Sequence, residues 1–246
     1  MTTMGDIRIG TSGWRYPHWR GDFYPRGLQQ RLELEFLSRM LNTVELNGPF
    51  YGLHKPDTYR SWYDRTPDDF VFAVKAHKEI THFRRLRDAD EAIDEFFASG
   101  VLELRDKLGP ILWQLPPTLA YQPDRLAAFL DHLPGPPVRH ALEIRHPTFL
   151  VPEVTDLLTA HGVALVAAES AGRFPEPDEP TADFAYARLH GDRELYVSEY
   201  TDPALRRWAD KIRTWSADRD VFVYFDNTMH GAAPHDARAL AAILTA

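Results

Sequence analysis

Phe184-Ala185-Tyr186-Ala187-Arg188-Leu189-His190 is the stretch that decides the fold. Small and apolar residues (Ala185, Ala187, Leu189) alternate with Tyr186, Arg188 and His190. Period two is the signature of a β-strand with two unlike faces. The polar face becomes more charged toward the end of the run. Ala141-Leu142-Glu143-Ile144-Arg145 does the same, with Leu142 and Ile144 opposite Glu143 and Arg145. So does Phe70–His77, where Phe72 and Val74 oppose Ala73, Lys75 and His77. Glu45 and Asn47 share a face in Thr43–Asn47, as Tyr224 and Asp226 do in Val221–Asn227. Ionised groups are costly to bury without partners. Strands that all end in charge must therefore converge on a common polar site.

Working outward, eight such runs space the chain: Ile7–Ser12, Thr43–Asn47, Phe70–His77, Ile111–Leu115, Ala141–Arg145, Val163–Glu169, Phe184–His190 and Val221–Asn227. Helical stretches lie between them. Pro123 is suited to open one, and Asp202 to cap another with Pro203 at its first position. Gly109 and Gly162 stand where helices are expected to stop. Eight strand-helix units in 246 residues is the spacing of an α/β (β/α)8 barrel of TIM type, here a single domain over residues 1–246. An open doubly wound sheet is the alternative, but no Gly-x-Gly-x-x-Gly opens a helix. In a barrel, late inward strand positions meet at the C-terminal mouth, where barrel enzymes place their chemistry.

Composition narrows the function. A net charge of -8 disfavours broad nucleic-acid binding, which needs many cations against phosphate. No apolar run approaches a membrane span. The opening Met1-Thr2-Thr3-Met4-Gly5-Asp6 shows no leader pattern, and a cytoplasmic protein is expected. The chain has no cysteine, which removes disulfides and thiolate chemistry. No nicotinamide, flavin or pyridoxal fingerprint stands in the sequence, so the cofactor, like any metal, is left unassigned.

The expected catalytic set is Glu143, His190, Lys75 and His77. The expected ligand-binding set is Glu45, Asn47, Gln114, Arg145, Arg188, Trp14, Tyr16, Asp226 and Asn227. Arg145 and Arg188 are suited to clamp an anion bidentately. Glu143, His190 and His77 are candidates for acid and base. Lys75, among apolar neighbours, is expected to have a depressed pKa and to act as base or Schiff-base amine. The preferred reading is an enzyme acting on a small polar or anionic substrate. Three alternatives stand beside it. One is a metal-dependent hydrolase or isomerase using Glu45, Glu143, Glu169, Asp226, His77 and His190. Another is a nucleic-acid module that stacks bases on the aromatic loop Trp14–Tyr24 and holds phosphates on the basic rim Lys78–Arg87. The last is a ligand-binding protein without turnover. Structural roles compete with each of these. Glu45, Glu143, Arg145 and Arg188 could instead form a structural salt-bridge lattice, the loop aromatics core, and the basic rim a solvated face. His54, His132, His140 and His161 read as surface or loop residues.

Gly10-Thr11-Ser12-Gly13-Trp14, followed by Tyr16, Trp19, Gly21 and Phe23-Tyr24-Pro25, resembles the opening of the YecE-like family, also called domain of unknown function 72. The likeness continues through Asn42–Asn47, Phe50-Tyr51, Phe70–His77, Thr81-His82, Leu112–Pro117, Glu143–Pro147, Arg188–Gly191 and Tyr224–Asn227, in the family's order. It implies a TIM-type barrel and no particular reaction. The chain departs from the family pattern at Gly48-Pro49, where Ser-Thr is common, and at Glu169, where Asp is usual. It departs again at Asp226 before Asn227, at His235 in place of a late Asn, and at Phe149 in place of Trp. These departures imply a ligand different from that of other members.

Overall fold

The computed structural model describes residues 4–245. Met1, Thr2 and Thr3, part of the opening read for a leader, lie outside the described residues, as does Ala246. All strands run parallel in one sheet. They are β1 (Ile7–Ser12), β2 (Thr43–Leu46), β3 (Val71–Lys75), β4 (Leu108–Gln114), β5 (His140–Glu143), β6 (Ala164–Leu165), β7 (Ala167–Glu169), β8 (Phe184–Leu189) and β9 (Asp220–Phe225). The order across the sheet is β6-β5-β4-β3-β2-β1-β9-β8-β7. β6 and β7 are halves of the expected sixth strand, separated at Val166, whose N–H donates to the Leu142 carbonyl. β6 pairs with β5 and β7 with β8, so this strand joins the two ends of the sheet and the barrel closes as an eight-stranded TIM-type fold.

Period two sorts the side chains into two cores. Ile9, Val44, Phe72, Val74, Ile111, Trp113, Leu142, Ala187, Val223 and Phe225 point outward and bury against the helices. The helices are α1 (Glu33–Met40), α2 (Gly48–Tyr51), α3 (Pro56–Asp64), α4 (Asp90–Ala98), α5 (Pro123–His132), α6 (Pro152–Ala160), α7 (Asp202–Ser216) and α8 (Ala232–Thr245). α7 shows how the outer layer is made. Leu205, Trp208, Ala209, Ile212 and Trp215 recur at helical spacing and are buried, and each such aliphatic side chain contributes roughly 1.5–3 kcal/mol by leaving water. Its cap is Thr201, whose hydroxyl accepts from the Ala204 N–H. Asp202, expected as the cap, instead lies in the first turn, where its charge favours the helix dipole. Pro123 opens α5 as expected. Gly162 follows α6 with φ +62°, the left-handed stop that glycine allows. Gly109 is not a stop: it lies within β4, beginning that strand three residues earlier than expected.

Inside the barrel, Ala73, Leu112, Ala141, Ala164, Val166, Phe184, Tyr186, Phe222 and Tyr224 form the second core. Large aromatics on β8 and β9 face small residues on β3, β5 and β6, which fills the tapered interior. The Tyr224 and Thr43 hydroxyls hydrogen-bond across this layer at 2.8 Å. The next inward positions toward the strand ends are Ser12, Glu45, Lys75, Gln114, Glu143, Arg188 and Asp226. Apolar packing below thus carries a polar layer at the C-terminal mouth.

Candidate functional site

Arg188 at the end of β8 is the centre of that layer. It is 1% exposed, between Glu45 at 0% and Glu143 at 1%. Its Nε donates to Glu45 Oε2 at 3.0 Å and its Nη2 to Glu45 Oε1 at 2.7 Å, a bidentate pair. Nη1 donates to Glu143 Oε2 at 2.7 Å. Nη2 also reaches Asp226 Oδ2 at 3.2 Å and Ser12 Oγ at 3.3 Å. Glu45 is completed by the Ser12 hydroxyl (2.8 Å) and the Tyr186 hydroxyl (2.7 Å). Glu143 accepts from Gln114 Nε2 at 3.1 Å and from Arg145 Nε at 2.7 Å. These groups form the structural lattice that competed with the ligand-clamp reading, and the Arg188 guanidinium, expected to bind a ligand, has its donors taken by Glu45, Glu143 and Asp226.

The lattice fixes charge states. Burial alone would raise the Glu143 pKa, but the Arg145 and Arg188 charges outweigh it and hold the carboxyl well below its ordinary range. Asp226 is lowered despite burial by Arg188, by the His190 hydrogen bond and by Lys75. Burial works against the Arg188 charge, yet Glu45, Glu143 and Asp226 push its pKa well up. Glu143 is thereby a permanent counter-ion and a poor base.

Three groups are arranged differently. His190 Nδ1 donates to Asp226 Oδ2 at 3.0 Å. Its Nε2 is buried with no hydrogen-bond partner, 3.7 Å from Glu143 Oε1. Carboxylate on one ring nitrogen and an open second nitrogen is how an imidazole is oriented for proton transfer. Arg145 uses Nε on Glu143, and its guanidinium lies over the Phe174 ring at 4.5 Å. The Tyr196 phenol and the Arg188 guanidinium lie near its charge. Lys75 is 9% exposed. Its Nζ lies 4.1 Å from the centre of the Phe50 ring, and among the described residues no acceptor or carboxylate binds it. Burial first, and the Arg188 charge second, lower its pKa to about 8.

Other expected site residues lie elsewhere. β3 ends at Lys75 and the Ala76 N–H bonds the Leu112 carbonyl, so the alternation stops before His77. The charges around His77 are Glu79, Lys78 and Glu95, outside the mouth. The histidine that faces the site is His82, which senses Lys75, Arg145 and Glu143. Burial, then the Lys75 and Arg145 charges, lower its pKa to about 4. Glu169 points outward and accepts from Trp208 Nε1 at 2.6 Å. Asn227 is on the face opposite Asp226, donating to Asp236 Oδ2 (2.7 Å) and the Ser198 carbonyl (2.8 Å). Asn47 follows β2, half-buried, with an unpartnered Oδ1. Trp14, Trp19, Phe23 and Tyr24 are core and offer no stacking platform. Trp14 packs edge-on against Trp62 of α3. Tyr16 borders the mouth and donates to the Ser12 carbonyl at 2.5 Å. His140, expected at the surface, is buried against Trp113, whose Nε1 donates to its Nδ1 at 3.1 Å. His132 ends α5 and His161 follows α6, paired with Asp94 and Asp131.

The metal-ligand set does not assemble. Glu169 and His77 face elsewhere, the carboxylates are taken by guanidinium groups, and no cluster of three or more Asp, Glu or His suited to a metal occurs among the described residues. A cavity of about 1140 Å³ opens at the other end of the barrel, but it touches none of the mouth residues. Among its lining charges, Arg139 pairs with Asp220 at 2.7 Å and Arg8 with Asp6 at 2.9 Å. No helix among the described residues is long and apolar enough to cross a membrane.

Fold and site together define a TIM-type barrel with a charged polar mouth. The chain belongs to the family described as Protein of unknown function DUF72, which matches residues 8–246. It is 36% identical over 146 residues, 58% of this chain, to the UPF0759 protein YecE of Escherichia coli strain K12. That match spans 50% of the relative's own length. It is 24% identical to the UPF0759 protein YunF of Bacillus subtilis strain 168, covering 97% of this chain and 94% of that one. The crystal structure of a DUF72 family protein from Thermotoga maritima superposes with a TM-score of 0.88 at 24% identity, covering 98% of this chain and all of that one. This last likeness fixes the fold alone.

Proposed function

We propose that the chain is an enzyme that moves protons on a small anionic substrate held in the C-terminal mouth. The observation that carries this reading is Lys75. Among the described residues every other charge of the layer is matched, whereas this amine is buried without a carboxylate or an acceptor. A buried cation without a partner is costly, and perturbed, unpaired groups in a cleft mark functional sites more often than structural ones. Lys75 and the terminal nitrogens of Arg145 supply the charge that attracts an anion. The Asp226–His190 pair supplies a proton-transfer group across the mouth. Arg188, Glu45 and Glu143 are positioning residues that hold Arg145 and Asp226 in place.

The test is a thermal-shift screen of small carboxylates, phosphates and sugar acids, followed by NMR in D2O to detect solvent deuterium entering the ligands that bind. A ligand at about 100 times its Kd stabilises by about 2.7 kcal/mol, a readable shift. Stabilisation and deuterium uptake, both lost in Lys75→Met and uptake alone lost in His190→Ala, are expected. Stabilisation that survives both Lys75→Met and Arg145→Met would place the ligand elsewhere and refute the reading. Binding without uptake for every ligand would leave a ligand-binding protein and refute the enzyme.

A further inference from the structure

We propose that Lys75 forms an imine with a small 2-oxo acid, its Nζ taking the carbonyl carbon and the terminal nitrogens of Arg145 taking the carboxylate. This rests on the reading of the mouth as a small-anion site, and it names the substrate class.

The chain carries an internal contrast. Lys107 is also buried, at 2% exposure. Its Nζ donates to the Tyr63 carbonyl (2.7 Å), the Thr66 carbonyl (2.8 Å) and the Thr66 hydroxyl (3.3 Å). That is a structural lysine, with its three donors filled. Lys75 is set over the face of Phe50 with no acceptor. Among the described residues the nitrogen therefore gives up only this cation–π contact, and no hydrogen bond, when it sheds its proton. Burial and the nearby Arg188 charge lower its pKa to about 8, so roughly a quarter of it is neutral amine at pH 7.5. A desolvated lysine beside a second cation is the arrangement that activates an amine for carbonyl attack.

Phe50 also brings the second participant. Its ring meets His82 edge-on at 5.0 Å between centroids, so one aromatic side chain positions both Lys75 and His82. The low pKa of His82 leaves its imidazole neutral at physiological pH. Its Nδ1 is engaged by the Thr81 hydroxyl at 2.8 Å, which leaves Nε2 open to shuttle a proton. The other requirement is an anchor for the acid group. Arg145 is held by Glu143 through Nε and by the face of Phe174, which fixes its guanidinium in one orientation and leaves the terminal nitrogens for the acid group.

The step balances without an oxidant or reductant. The neutral Lys75 nitrogen attacks the carbonyl carbon and a C–N bond forms. His82 takes a proton from the nitrogen and returns it to the former carbonyl oxygen, which gives the carbinolamine. The second nitrogen proton follows the same route, and the hydroxyl leaves as water while the C=N bond forms. One carbonyl and one amine become one imine and one water.

The test uses the full chain with pyruvate, then with glyoxylate, each followed by sodium borohydride, which reduces an imine to a stable secondary amine. Digestion and mass spectrometry then locate the adduct among the five lysines of the chain. A single adduct at Lys75 is expected, absent in Lys75→Arg and reduced roughly tenfold or more in Arg145→Met, which removes the bidentate anchor. Oxalate, a dicarboxylate with no ketone, should raise the Tm and suppress the adduct. A Tm rise with oxalate but no adduct at Lys75 would overturn the imine and leave the anion site standing. No Tm rise and no adduct would overturn both. Labelling spread evenly over the five lysines would also overturn the imine.

Discussion

Replacing Arg188 with methionine removes the cation at the centre of the mouth and keeps much of its volume. Glu45, Glu143 and Asp226 would then face one another with their shared donor gone, and two of them are almost wholly buried. Breaking a buried ion pair by deleting one partner costs about 3–5 kcal/mol, because the remaining charge is left uncompensated. For a chain of this size, 1 kcal/mol moves Tm by about 2–4 °C, so a loss of roughly 6–20 °C is expected at pH 7. The pH dependence should change sign. In the wild type Glu143 and Asp226 have lowered pKa values, so their stabilisation is present above the ordinary carboxylate range and is lost as pH falls through the folded values. In the variant, burial without Arg188 raises those pKa values, so stability should increase as pH is lowered from 7 toward 5. Urea denaturation at pH 7 and pH 5 reads both effects. A loss under about 1 kcal/mol at pH 7, or a variant no more stable at pH 5 than at pH 7, would refute the lattice as the organiser of the site.

Lys75→Met should leave the protein as stable as the wild type or more stable. The folded pKa of about 8 lies below the ordinary 10.5, so holding the ammonium costs about 3 kcal/mol below pH 8. That cost fades as pH rises from about 8 to 10.5, and a denaturation series over this range should show the rise in the wild type and not in the variant. His82→Ala should lower turnover of a substrate identified in the screen about 100-fold or more, within the usual range for a proton-transfer group, while His77→Ala should leave it within about twofold; equal effects would contradict the assignment of His82 over His77. Asp236 accepts from Asn227 and from the Tyr200 N–H, and burial raises its pKa to about 6. Its contribution to stability therefore falls as pH rises from about 4 to 6, and Asp236→Asn should flatten that part of the Tm profile.

Much of this site is legible in the sequence because a barrel strand encodes direction by parity. Glu45, Lys75, Gln114, Glu143, Arg188 and Asp226 are inward and late in their strands, and period two with strand length places each one. Parity also separates Asp226 from Asn227, which cannot share a face. The errors come where periodicity stops or is silent. His77 keeps the parity of Lys75 on paper, but the strand ends between them. Val163–Ala168 is apolar on both faces, so nothing in it shows that Glu169 points out to Trp208. His82 lies in a single helical turn, Glu79–Phe83, and Phe174 and Tyr196 lie in loops, where side-chain direction depends on long-range packing. His140 reads as polar, yet Trp113 and the Pro134 carbonyl satisfy both ring nitrogens inside the core. Pairing is equally hidden: the sequence shows charges that nearly balance, but not that Arg188 is saturated while Lys75 is left open.

That difference between Arg188 and Lys75 can be measured on the protein alone. NMR of protein labelled with 13C at lysine Cε follows each ammonium through its titration. One of the five lysines should titrate with a midpoint near 8, and its signal should be absent in Lys75→Met. Five lysines that all titrate near the ordinary value of about 10.4 would show that Lys75 is solvated or paired, and the catalytic reading of the mouth would fall.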